Sequence, residues 1–84
     1  MLYLPILFGL YQHYKGNLYQ VIGVAQHSEN HDIFVMYQAL YDDYNIWIRP
    51  FDMFTETIVI DGKEQPRFTF LKETMTKVAP FEKR

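Results

Sequence analysis

Two runs rich in β-branched and aromatic residues, Ile33 to Tyr41 and Ile46 to Pro50, flank a four-residue polar interruption at Asp42 to Asn45. Runs of this length with so short a polar gap read as two antiparallel strands joined by a tight loop. The block places Tyr37, Tyr41, Trp47 and Arg49 on positions that cannot all be buried. A surface holding tyrosine, tryptophan and arginine together is usually a recognition surface.

The rest of the chain is punctuated in the same hairpin manner. Gly16, between Lys15 and Asn17, stands where a two-residue type II′ loop needs positive φ, which predicts strands at about Gly9 to Tyr14 and Leu18 to His27. Ser28 to Asp32 is a polar loop. Pro50 removes a backbone donor, so the Ile46 to Arg49 strand ends there or lies beside an edge. Phe51 to Phe54 reads as one 3₁₀ turn plugging an end of the core with its two phenylalanines. Thr57 to Ile60, the type I′ signal Asp61-Gly62, and Arg67 to Leu71 are expected to form a last hairpin, with Pro66 marking its edge. No run sustains an apolar stripe of helical period. The expectation is an all-β fold: a small SH3-like antiparallel barrel of five or six short strands with one short 3₁₀ turn, closed to protect its edges.

Size and composition fit that reading. Eighty-four residues make one domain, and a chain of this size buries only about 60 to 65% of the surface its unfolded form exposes. The expected organisation is a single domain over 1–84, with an apolar extension at 1–8, the barrel at 9–71 and a weakly ordered tail at 72–84. With 49% apolar and 21% charged residues the composition is globular. No cysteine is present, so neither a disulfide framework nor a thiolate metal site can form, which favours a reducing, cytoplasmic setting. Met1 to Phe8 lacks a basic flank and a small-residue cleavage site, contains Pro5 and runs into Gln12 and His13. It also falls far short of the roughly 20 apolar residues that span a bilayer. It is expected to pack along the barrel or mediate association rather than enter a membrane. A net charge of −2 supplies no basic field for nucleic acid or anionic lipid.

Several motifs recur together and in order: Gly9, Tyr11 and His13 to Asn17; Val21 to Ala25; His27 to Glu29; Val35 and Tyr37 to Tyr41; Trp47, Arg49 and Pro50; Met53 and Phe54; Pro66 to Phe68. This set resembles a family of small bacterial proteins catalogued as domain of unknown function 1653, over roughly Gly9 to Phe70. The resemblance implies an SH3-like barrel, in agreement with the turn-based reading, and implies no activity. Met1 to Phe8 lies outside it, and Asn30 stands where the family usually carries threonine.

Alternation along the strands narrows the candidate site. If Ile46 and Ile48 face the core, Trp47 and Arg49 face outward, and Tyr37 or Tyr41 on the neighbouring strand lies beside them. His13 and Lys15 at the first turn, and Arg67 after Pro66, would form the rim. The bland alternatives are a core Trp47, an Arg49 paired with Asp52 or Glu56, a structural His13 and an Arg67 in a surface salt bridge. His27, Glu29, His31 and Asp32 are the only cluster with metal-ligand residue types, and a solvated loop is their commoner role. No glycine-rich phosphate loop, nucleophile elbow or paired-carboxylate arrangement occurs.

These readings favour a non-catalytic binding module without a cofactor, recognising an unknown peptide or protein segment through the face bearing His13, Lys15, Tyr37, Tyr41, Trp47, Arg49 and Arg67. Single-stranded nucleic acid is the less favoured ligand because of the acidic balance. A metal-dependent accessory or enzyme using His13 or the His27 to Asp32 loop is the competing class. A homodimer through Met1 to Phe8 and an open barrel edge is a third possibility.

Overall fold

A computed structural model describes residues 6–73. The apolar segment up to Pro5 and most of the expected tail therefore lie outside the described residues. Alternating apolar runs become strands β1 (Gly9–His13), β2 (Leu18–Gln26), β3 (Ile33–Ala39) and β4 (Ile46–Pro50). They are followed by a helical turn α1 (Phe51–Phe54), then β5 (Thr57–Ile60), β6 (Lys63–Pro66) and β7 (Phe68–Lys72). Five strands form one antiparallel sheet in the order β4-β3-β2-β1-β7, and β5 with β6 forms a separate hairpin.

The fold is the small antiparallel all-β architecture that the turns predict, with seven strands among the described residues against the five or six expected. Its five-stranded sheet does not close: β4 and β7 are both edges. Register shifts at Leu10/Tyr11 and at Val21/Gly23 bend it. In the second, Ile22 is the extra residue, so the inward parity of β2 passes from Tyr19 and Val21 to Val24, opposite the fully buried Val35.

Three local expectations are corrected. The first loop is a three-residue connection: Gly16 N–H donates to the His13 carbonyl at 2.7 Å and Gly16 takes φ 109°, a β-turn followed by a glycine bulge, not a type II′ turn. The partner of Thr57–Ile60 is Lys63–Pro66, not Arg67 to Leu71. Asp61 and Gly62 both have positive φ, as type I′ requires, and a two-residue loop fixes Ile60 opposite Lys63, so pairing starts at once. Phe68–Lys72 is thereby released to pair with β1. The turn at Phe51–Phe54 is α-helical, with Thr55 N–H bonded to the Phe51 carbonyl at 3.1 Å. It does plug the core: Phe54 is fully buried and Phe51 packs against the cluster.

The core lies on one face of the sheet. Tyr11, Val21, Val35, Tyr37 and Phe68 from four strands gather around Phe54. Phe54 and Phe68 stack at 4.1 Å with 7° between planes, and Tyr11 and Tyr37 approach Phe54 at 5.5 and 5.2 Å. The Tyr11 hydroxyl donates to the Leu7 carbonyl at 2.6 Å, tying the chain before β1 to this end.

Candidate functional site

The aromatic core continues past α1 along the inner face of the sheet, where it is less covered. In an antiparallel ladder directly opposed residues share a face. Register places Tyr37 opposite Trp47 and Val35 opposite Arg49. Tyr37 and Val35 are buried, so Trp47 and Arg49 point to the inner face. Ile46 and Ile48 are the outward pair, 56% and 59% exposed. The expected orientation is thus inverted, because the parity of β4 is set by its register on β3 and not by which of its residues is the more aliphatic. The predicted grouping of Tyr37, Tyr41, Trp47 and Arg49 nonetheless survives. Tyr37 itself is core, 5% exposed, and contributes its hydroxyl, whereas Trp47 on the edge strand remains 50% exposed.

Arg49 is placed by three features. Its Nε donates to the Tyr37 hydroxyl at 3.2 Å, its guanidinium lies 5.6 Å from the centre of the Phe68 ring, and among the described residues no carboxylate pairs with it. The acid proposed for it, Glu56, instead accepts from Nε of Arg67 at 2.9 Å and forms the ion pair with that residue. Arg67 therefore takes the bland role of a salt-bridged side chain, whereas Arg49 on the inner face has no carboxylate partner among the described residues.

Phe68 and Tyr19 make the floor. Phe68 meets His13 at 4.9 Å, Tyr37 at 5.5 Å and Tyr19 at 5.6 Å, mostly edge to face. Tyr19 also packs on Tyr37 and Tyr41 and shares a 2.6 Å hydrogen bond between hydroxyls with Tyr41. Burial first, and then that bond, push the Tyr19 hydroxyl up to about 12. Sequence reasoning missed both floor residues. Tyr19 is legible from its alternation with Val21, whereas Phe68 pairs with β1 and not in the hairpin that Asp61-Gly62 predicts.

His13 sits at the rim opposite Phe68 on β1, its ring 4.5 Å from that of Tyr14. Its Nδ1 accepts from the Lys15 N–H at 3.2 Å. Burial, followed by the charges of Arg49, Arg67 and Lys15, lowers its pKa below the ordinary histidine value, so the neutral ring is favoured. Lys15 is exposed, with Nζ 5.8 Å from the Tyr14 ring. The inner face therefore carries positive charge at this end despite the chain's net −2. On its other flank a notch of about 150 Å³ is lined by Ala39, Tyr41, Asp42, Asp43, Asn45 and Trp47. Trp47 thus stands between a cationic and an acidic region. Asp42 and Tyr44 adopt left-handed backbone in the loop that forms the acidic side.

The His27 to Asp32 loop is built differently. His27 Nδ1 accepts from the N–H groups of Glu29 and Asn30 at 3.0 and 3.5 Å, and Asn30 Oδ1 accepts from Asp32 N–H at 2.9 Å. Its polar side chains hold the turn, and among the described residues no group of three or more His, Cys, Asp or Glu is arranged to hold a metal. No helix among the described residues is long and apolar enough to cross a membrane.

No curated protein matches the chain. A crystal structure of a protein of unknown function from Bordetella bronchiseptica is similar to it, with 30% identity and a TM-score of 0.75, over 82% of this chain and 91% of that one. The model of a protein family of unknown function, DUF1653, matches residues 9–70. That solved structure is itself of a DUF1653 protein. With the matched span running from the start of β1 into β7, this chain belongs to the DUF1653 family.

Proposed function

We propose that the protein is a non-catalytic binding module of the bacterial cytoplasm that takes an extended peptide or protein segment on its inner face. The observation that carries this reading is Trp47, half exposed beside an Arg49 that no carboxylate among the described residues neutralises, on a floor of Tyr19 and Phe68. An uncharged indole and a positioned guanidinium suit a ligand that presents an apolar or aromatic side chain next to a carboxylate. Asp42 and Asp43 at the adjoining notch favour a basic group further along the same segment. The lack of cysteine supports a reducing compartment.

The test compares wild-type protein with Trp47→Ala and Arg49→Gln in pull-downs from a bacterial lysate, followed by titration of the recovered segments as synthetic peptides. Trp47 is the only tryptophan, so its emission reports binding directly. Loss of the same partners in both folded variants supports the reading; an unchanged partner profile removes the face. Recovery of single-stranded nucleic acid in place of protein would redirect the ligand class to base stacking on the same rings.

A further inference from the structure

Among the described residues strand β4 is an edge with little of the usual protection. Exposed edges are commonly blunted with lysine, proline, inward charges or a covering element. Here Ile46, Trp47 and Ile48 are all at least half exposed on an outer strand, and the protective features of the strand are confined to its end, the inward Arg49 and Pro50. The direction of the backbone groups follows from one bond: Ala39 N–H donates to the Asn45 carbonyl at 2.9 Å. In the same ladder Tyr37 opposes Trp47 and Val35 opposes Arg49, so Trp47 and Arg49 turn their N–H and C=O groups toward β3. Those of Ile46 and Ile48, and the carbonyl of Pro50, point to the open side.

We propose that this edge pairs with β4 of a second copy of the chain, antiparallel about a two-fold axis through Ile48. In that register the Ile48 residues exchange backbone hydrogen bonds. Each Ile46 N–H reaches the Pro50 carbonyl of the other copy, and the missing Pro50 N–H costs only the return bond. The side chains are complementary as well. Ile48 meets Ile48 on the outer face, and on the inner face Trp47 of each copy opposes Arg49 of the other, an aromatic ring against a guanidinium with no like charges opposed. A register offset by one residue fails, because it opposes outward backbone groups to groups already bonded to β3. Centring on Arg49 opposes two guanidiniums, and centring on Pro50 opposes two residues that lack a donor. Centring on Trp47 also engages the Ile46 and Ile48 groups but sets indole against indole, whereas the Ile48 register sets each indole against a guanidinium. A second copy is the occupant because the strand is its own complement, both in its outward backbone groups and in the pairing of Trp47 with Arg49. Pairing would join the two sheets and make the two inner faces continuous. The inference stands apart from the ligand reading and does not need it.

The experiment is sedimentation velocity on the full chain from micromolar to millimolar concentration, for wild type, Ile48→Lys and Ile48→Glu. Ile48 points to solvent, so the variants are expected to keep the wild-type circular dichroism and urea midpoint. Wild type should dimerise. Either variant alone, with like charges on the axis, should weaken dimerisation by more than about a hundredfold. An equimolar mixture of the two should recover a heterodimer. A wild type monomeric throughout, a dimer persisting in both variants, or a mixture that stays monomeric overturns the proposal. None of these outcomes bears on whether Trp47→Ala loses a partner in the monomer.

Discussion

Phe68→Ala tests the argument that one side chain serves both the core and the candidate site. Phe68 is 6% exposed and stacks on Phe54, and Tyr19, Tyr37 and His13 are packed around its edges. Removing a buried phenylalanine costs about 3 to 5 kcal/mol. An 84-residue chain has a total stability of roughly 4 to 13 kcal/mol at about 0.05 to 0.15 kcal/mol per residue. The substitution therefore removes a large part of the whole. With a urea dependence of about 1.2 kcal/mol per molar, the midpoint should fall by about 2.5 to 4 M. Tryptophan emission from Trp47, on the same face, follows the transition. The Arg49 contact can be separated by a cycle with Arg49→Gln, for which the coupling to Phe68 should be about 0.5 to 1 kcal/mol at this partly exposed position. A loss below about 1 kcal/mol for Phe68→Ala, the level of an ordinary surface change, would refute the placement of Phe68 at the centre of the aromatic cluster.

His13 gives a pH dependence of known sign. Its folded pKa is depressed below the ordinary value of 6.5, so the unfolded chain takes up the proton first. Its contribution to stability should be complete above pH 6.5 and be lost as pH falls through the lower folded value. Urea midpoints from pH 7.5 downward should show that fall, and His13→Gln should flatten it; an unchanged slope rejects the assignment. Gly9 is buried with φ 145°, and an added Cβ would lie 2.9 Å from the Glu73 Cα, whereas one on Gly16 meets nothing within 4 Å. Gly9→Ala should cost about 1 to 3 kcal/mol, more than Gly16→Ala, where only backbone strain acts. Equal midpoints for the two variants would show that the close approach of β7 to Gly9 is not what requires glycine.

Most strand positions, though not β6, together with the all-β class and the family, were legible in the sequence because they depend on local chemistry. Alternation marks a strand, Asp61-Gly62 favours a type I′ turn, and Pro50 cannot donate to a ladder. Much of the candidate site was legible too, as a neighbourhood: Tyr37 and Trp47 are opposed across one hairpin whose register a short loop sets. What the sequence could not fix is which side of that hairpin faces the core. A period-two pattern has two faces, and Ile46 and Ile48 are as apolar as Trp47. Only the register on β3, with Val35 and Tyr37 already buried against Phe54, turns Trp47 and Arg49 inward. The same holds for Phe68, whose partner strand β1 lies more than fifty residues away in the chain. Local signals decide what each segment becomes. The choice of inner face, the lack of a carboxylate partner for Arg49 among the described residues and the open edge of β4 belong to the tertiary structure, because each depends on contacts between segments that no local propensity encodes.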